Sequence, residues 1–211
     1  MTPTLNRGKW FTLGEATTGF LLIMLYIWKL RAIAPRSWIL ILAYLAISHM
    51  VRGDRSASLG FRWGNLRECL EKMAPALLLL ALVMLAGGLL LQTMRPITLE
   101  QGCLCLVAYC PWGLVQQYLL NGYIANRLLL VSPARYVPLI SGAVFSGAHL
   151  PNLFLMVVTF ATGYYSTRLF MRYRNLYFLG LAHGLIGTLI YIVVPDSITH
   201  HLVVGPGFFG R

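Results

Sequence analysis

The chain has 211 residues, of which 58% are hydrophobic and only 11% are charged, and its mean hydropathy is +0.70. This composition excludes an ordinary soluble domain and a disordered chain, and it indicates a protein whose solvent is mostly lipid. A helix needs about 20 apolar residues to cross a bilayer, so the chain has room for about six to eight spans and little else. We predict an all-α, polytopic transmembrane bundle that forms a single membrane domain over residues 1–211.

The net charge of +11 raises the question of a nucleic-acid partner. The basic residues, however, fall between apolar stretches and not along one soluble face, so the lipid bilayer is the expected partner and nucleic acid is not. Lys and Arg are concentrated in the N-terminal tail and after the second, fourth and sixth stretches, which predicts a cytoplasmic N-terminus. We expect a multi-pass protein of a bacterial inner membrane. Nothing in the pattern sets its oligomeric state.

Seven apolar stretches predict the helices, at residues 10–30, 37–51, 74–93, 102–126, 136–150, 153–170 and 176–194. The second and fifth stretches have about 15 residues each, which is short for a span and favours tilted, kinked or re-entrant helices. Ala32 and Ala34 mimic a signal cleavage site, but the stretch is long for a signal peptide and Pro35 follows at once. The first stretch is therefore predicted to be retained.

Two polar segments flank these stretches. Residues 52–72 combine several arginines with aromatic side chains, which fits either a surface-lying amphipathic linker on anionic headgroups or an ordinary basic loop. Residues 200–211 are predicted to form a short polar tail without chemistry, with His200 and His201 exposed.

Polar side chains recur inside three of the late stretches, where the loss of water hydrogen bonds makes each of them costly. Gln117 and Asn121 are predicted one helical turn apart on one face, with Gln116 beside them. His149 and His183 are surrounded by small residues that let helices pack closely. Taken alone, each group is better explained by a structural role, as an interhelical hydrogen-bonding amide or as a hydrogen-bonded packing histidine. Together they predict one polar cavity inside the membrane.

A metal centre is the more specific alternative explanation of the two histidines. They have no carboxylate or cysteine nearby, whereas a catalytic zinc needs three protein ligands. The four cysteines show no metal-binding spacing either. We expect no metal and no other cofactor.

The order of these motifs resembles the CPBP family, also called ABI, whose best-known members are type II CAAX prenyl endopeptidases. The resemblance covers residues 59–194, with the motif-bearing core at 102–194, and it includes the interval SLGFRWGNL. Active relatives carry EExxxR, then FxxxH, then HxxxN or similar. The resemblance implies hydrolysis of a peptide bond in a membrane-embedded or lipidated substrate, with a glutamate that activates water and with histidine and asparagine that hold the water and the oxyanion.

Carried over by position, the resemblance makes Gln116, Gln117, His149 and His183 the catalytic candidates. It makes Asn121, Phe145 and Asn152 candidates for positioning substrate or water. Phe145 and His149 match the second motif intact. The chain departs from the family at Gln116 and Gln117, which replace glutamates, at Asn121, which replaces arginine, and at Gly187, which replaces asparagine.

These departures affect the chemistry directly. An amide side chain does not ionise, so glutamine cannot act as the general base. The six acidic residues are all predicted at helix ends or in loops: Glu15, Asp54, Glu68, Glu71, Glu100 and Asp196. None of them is therefore an obvious substitute for the base unless the fold turns Glu100 or Asp196 inward. A neutral His149 or His183 is the remaining base.

Three functions follow from this pattern. The first is a CPBP-type intramembrane endopeptidase in which the polar cavity holds the attacking water. The second is a catalytically inactive relative that uses the same cavity to bind a transmembrane or lipidated peptide. The third is a small transporter or channel, which would need a continuous wet route across the bilayer.

Overall fold

The computed structural model describes residues 3–210, and these residues form helices and connecting turns without any strand. Seven main helices lie at the seven predicted places, which confirms the all-α bundle. They are α1 (Pro3–Leu25, continued by the π-helical Tyr26–Leu30 and by Arg31–Ile33), α2 (Trp38–Arg52), α3 (Leu66–Leu90), α4, α5 (Val137–Gly147), α6 (Leu153–Tyr173) and α7 (Leu176–Val193). Helix α4 comprises Leu99–Gln117, the π-helical Tyr118–Ala125, here called the π segment, and Asn126–Val131.

Four of these helices are long and apolar enough to cross a bilayer: Gly8–Ile33, Leu66–Leu90, Leu99–Val131 and Leu176–Val193. The chain is therefore an integral membrane protein. Helices α2 and α5 have only 15 and 11 residues, which is less than a full span requires. The two stretches that were short in the sequence are thus short helices in the fold.

Helices α4 and α7 pack against each other so closely that glycine is required at the crossing. A Cβ atom on Gly184 would lie 2.7 Å from the Cα atom of Cys110, and one on Gly113 would lie 2.7 Å from the carbonyl oxygen of Gly180. Real side chains do not fit at such separations, so the two backbones are in direct contact. This contact brings the polar face of α4 against His183.

We expect Gly184→Ala to reduce the free energy of unfolding by about 1–3 kcal/mol, because the new methyl group must push α4 away from α7. The measurement is reversible unfolding in mixed detergent micelles. Gly87→Ala is the matched control, since nothing lies within 4 Å of a Cβ at that position of α3. The control is expected to be neutral or stabilising by up to about 1 kcal/mol. Equal losses in the two variants would contradict the close crossing.

The basic interval before α3 packs against the start of α7 and does not lie free on the surface. Leu59 and Gly60 are buried, and the carbonyl oxygen of Gly60 accepts a hydrogen bond of 2.8 Å from the backbone N–H of Leu176. The Trp63 ring stacks on the Tyr177 ring with 4.0 Å between the ring centroids. This interval, for which the sequence allowed either a surface-lying linker or an ordinary basic loop, is thus docked against α7.

The C-terminal segment also differs from the predicted free tail. The Asn152 amide donates to the carbonyl oxygens of Thr199, at 2.8 Å, and Val203, at 3.1 Å. The backbone N–H of Gly205 donates to the carbonyl oxygen of Leu150 at 2.8 Å. The segment therefore supports the turn that follows His149.

A buried ionic cluster joins the N-terminal helices to the C-terminal part of α4. The Glu15 carboxylate, whose side chain is only 6% exposed, accepts hydrogen bonds from Ser48, from Arg52 at 2.6 Å and from Arg127 at 3.1 Å. Arg127 also donates to Asp54 at 2.6 Å. Glu15 was predicted at a helix end, and this prediction was wrong: opposite charges supplied by other helices allow its carboxylate to be buried.

We expect Arg127→Leu to cost about 3–5 kcal/mol of the free energy of unfolding, because it removes the cation that pairs with both Glu15 and Asp54 and leaves the cluster with one uncompensated negative charge. Arg67→Leu is the control, since Arg67 pairs with Glu71 but its side chain is 91% exposed. That surface pair is expected to contribute only about 0–1 kcal/mol. Similar losses for both variants, measured by unfolding in micelles, would show that the cluster does not stabilise the fold.

Candidate active site

The polar residues of α4 form a hydrogen-bonded pair at the junction between its α-helical part and the π segment. The Asn121 amide donates to Gln117 Oε1 at 2.6 Å, and both side chains are buried. The predicted common face is therefore present, although the helix around Asn121 has π and not α geometry. π-Helical turns are rare and occur often at functional sites.

Helix α6 fixes the orientation of this pair. The Ser166 hydroxyl donates to the carbonyl oxygen of Gly163 at 3.2 Å, so its oxygen is free to accept from the Asn121 amide at 3.3 Å. The Thr167 hydroxyl donates to Asn121 Oδ1 at 2.8 Å. Each polar atom of the Asn121 side chain thus has a partner of the opposite kind.

The same chain of hydrogen bonds sets the protonation of His183. Gln117 Oε1 accepts from Asn121, so the Nε2 atom of Gln117 is the one that faces His183. This Nε2 donates to His183 Nδ1 at 3.2 Å. In neutral His183 the proton must then be on Nε2. His183 therefore presents an N–H donor on the side of the ring that points away from Gln117.

His149 has the opposite arrangement. Its Nδ1 lies 2.7 Å from the carbonyl oxygen of Phe145, and a carbonyl oxygen only accepts, so Nδ1 carries the proton. The Nε2 atom of neutral His149 is therefore an unprotonated acceptor. The two histidines thus offer one acceptor and one donor.

The Phe145 ring connects the two imidazoles. Its centroid lies 4.9 Å from that of His149 and 5.8 Å from that of His183. Helix α5 ends at Gly147, so His149 occupies the turn after the helix and is brought close to α7. The turn after the short fifth helix thus places both imidazoles beside the Phe145 ring. We call Gln117, Asn121, His149 and His183 the amide–imidazole site.

Two further sequence candidates lie beside this site in different roles. Gln116 Oε1 is buried and has no hydrogen-bond partner among the described residues, so it can accept from a bound water. The Asn152 side chain caps α6, since its Oδ1 accepts from the backbone N–H of Leu155 at 3.1 Å. With its amide also donating to two carbonyl oxygens, Asn152 supports the turn and has little capacity left for water.

The supporting residues of α6 were not predicted from the sequence. Ser166 and Thr167 bond Asn121, yet a hydroxyl in an apolar helix commonly bonds its own backbone and gives no signal. Within residues 3–210, no carboxylate is hydrogen-bonded to the amide–imidazole site. In the same part of the chain, the two carboxylates considered as substitutes do not reach the site. Glu100 is exposed, and Asp196 pairs with Arg95 and His201.

An apolar groove opens between α1 and α5. Its volume is about 590 Å³. It is lined by Phe20, Met24, Leu139, Ile140, Ala143, Val144, Gly147 and Leu150. Among these lining residues, Leu150 directly follows His149 in the chain.

Comparison with known protein families assigns this region. Residues 98–189, which include α4, α5, α6 and most of α7, match the family model described as Type II CAAX prenyl endopeptidase Rce1-like. The match confirms the family resemblance over these residues and contains all the residues of the amide–imidazole site. It does not extend to residues 59–97, where the resemblance stays a prediction. No curated protein and no solved structure matches the chain.

Proposed function

Since residues 98–189 match the Rce1-like endopeptidase family, we propose that the protein is an intramembrane endopeptidase whose amide–imidazole site holds the attacking water. The observation that supports this proposal most strongly is the complementary pair of histidines. His149 presents an acceptor and His183 presents a donor, each fixed by the hydrogen bond at the other ring nitrogen. Hydrolysis of an amide needs one group of each kind.

In the proposed reaction a water molecule binds between His149 Nε2 and Gln116 Oε1. His149 takes a proton from this water as its oxygen attacks the scissile carbonyl carbon. The His183 Nε2–H stabilises the negative charge that develops on the carbonyl oxygen. His149 then gives its proton to the leaving amine nitrogen, the C–N bond breaks, and the products are an amine and a carboxylic acid, which then releases its proton to water.

Gln117 and Asn121 act as positioning residues in this scheme. They do not exchange protons, because amides do not ionise at physiological pH. Their hydrogen bonds keep His183 in the tautomer that donates from Nε2. A change at Gln117 therefore alters catalysis through His183.

The substrate class follows from the family and the groove. The family implies membrane-associated prenylated substrates, and the groove of about 590 Å³ between α1 and α5 is apolar. We propose that the apolar part of such a substrate lies in this groove while its peptide bond reaches His149. We also propose that the N-terminus is cytoplasmic, as the distribution of basic residues predicts.

The alternative function is a catalytically inactive relative that binds a lipidated peptide. It is favoured by the amides that replace both family glutamates. Purified full-length protein in liposomes, incubated with a farnesylated peptide whose cleavage separates a fluorophore from a quencher, distinguishes the two functions. We expect cleavage of this peptide and much slower cleavage of the same peptide without the farnesyl group. Binding without cleavage, over a range of pH and peptide sequence, would support the inactive binding module instead.

A further inference from the structure

A second hydrogen-bonded chain, made by Asp54, His49 and Tyr118, lies on the other side of the π segment. His49 Nδ1 is 2.7 Å from Asp54 Oδ2, and His49 Nε2 is 2.7 Å from the Tyr118 hydroxyl. The side chains of His49 and Asp54 are only 14% and 19% exposed. The proposed hydrolysis uses none of these groups, and two of them precede the family-matched region.

Asp54 fixes the tautomer of His49. Burial alone would raise the pKa of Asp54, but hydrogen bonds from Arg127 and His49 hold this pKa below its usual value. An ionised carboxylate only accepts hydrogen bonds, so His49 carries a proton on Nδ1. In neutral His49 the Nε2 atom then accepts from the Tyr118 hydroxyl.

The charges around His49 balance only while it is neutral. Two negative charges lie here, on Glu15 of α1 and on Asp54 of the loop after α2. They are offset by Arg52 of α2 and by Arg127 of α4. The uncharged titratable neighbours are Tyr118 and Tyr123 of the π segment, whose rings both contact the imidazole. Protonation of His49 would leave one positive charge in excess and would turn Nε2 into a donor. The Tyr118 hydroxyl would then have to turn its own proton elsewhere.

Tyr118 links this change to the amide–imidazole site. It is the first residue of the π segment and directly follows Gln117. The π segment is held from two sides. On one side Tyr118 bonds His49, and the Tyr123 hydroxyl donates to the carbonyl oxygen of Glu15 at 3.2 Å. On the other side Asn121 bonds Thr167 of α6. A rarely populated helix geometry such as this needs fixed anchors.

We propose that His49 is a positioning residue for the amide–imidazole site: in its neutral form it holds Tyr118, and through Tyr118 it holds the π-helical register that aims Gln117 at His183. Protonation of His49 releases this anchor. The consequence for cleavage rests on the proposed function, but the structural effect does not.

Hydrogen–deuterium exchange of the full-length protein in lipid nanodiscs tests the proposal without any substrate. Histidine changes its charge between about pH 5 and pH 8, so protection factors of the amides in 118–125 are compared across that range, after correction for the intrinsic pH dependence of exchange. We expect native protection to fall about tenfold on acidification. In His49→Gln, which can form hydrogen bonds but cannot take up a proton in this range, protection is expected to be independent of pH.

Two further variants complete the test. His201→Gln is the matched control, because His201 also lies beside a carboxylate, 3.1 Å from Asp196, but is not among the residues that bond the π segment. The His201→Gln protein should therefore keep the native pH dependence of protection. Tyr118→Phe removes only the hydroxyl that His49 bonds, so it should show low protection at every pH. Native protection that does not change with pH would overturn the proposal, as would a native-like pH response in His49→Gln or Tyr118→Phe. The proposal is decided in this way even if the protein cleaves nothing.

Discussion

His149→Ala is expected to reduce the cleavage rate of a prenylated peptide about 100- to 10,000-fold, the usual contribution of a general base. The physical reason is that Nε2 of His149 is the unprotonated acceptor in the pair of histidines, since its Nδ1 is committed to the Phe145 carbonyl oxygen. The measurement is the single-turnover rate in liposomes. For the native protein this rate should also fall as the pH is lowered and His149 takes up a proton.

His200→Ala provides the control for this prediction. His200 is exposed and contacts Phe208, in the C-terminal segment. Its replacement should leave both the rate and its pH dependence unchanged. A His149→Ala protein that cleaves at the native rate would remove His149 from the mechanism and would require another base.

His183→Ala is expected to lower the rate about 100- to 1,000-fold, with little change in substrate affinity. This is the size of effect found when one oxyanion donor is removed, because the donor acts mainly in the transition state. Gln117→Leu should cause a smaller loss of the same kind, since His183 remains but its Nδ1 loses the donor that fixes the tautomer.

The two effects are separated by measuring rate and affinity in each variant. A fall in affinity with an unchanged rate at saturation would assign His183 to substrate binding and not to the transition state. An unchanged rate in Gln117→Leu, together with a large loss in His183→Ala, would show that the tautomer of His183 is set by another group.

The helices and the late polar residues were predictable because they depend on local pattern. Long apolar runs mark membrane helices in any fold, and amides or imidazoles within them are costly enough to be noticed. Gln117, Asn121, His149 and His183 could therefore be selected from the sequence. The short α5 was also visible as a stretch too brief to cross a bilayer.

The ionic cluster and the π segment could not be predicted in the same way. Glu15 and Arg127 form an ion pair although they are 112 positions apart, and a single glutamate near a chain end is indistinguishable from a surface charge. The spacing of Gln117 and Asn121 fits an α-helix as well as a π-helix. The π geometry depends on anchors such as His49 and Thr167, which come from other helices and are defined only once the bundle is packed.

The central claim is that the amide–imidazole site cleaves peptide bonds without the family's glutamates. The most direct test compares the peptide termini of the host membrane proteome, by mass spectrometry, between cells with the native protein and cells with His149→Ala at equal abundance. We expect a set of termini that is present with the native protein and absent with the variant, and this set would identify the substrate. Identical termini in both, under conditions where the protein is expressed, would contradict the account and indicate a binding module.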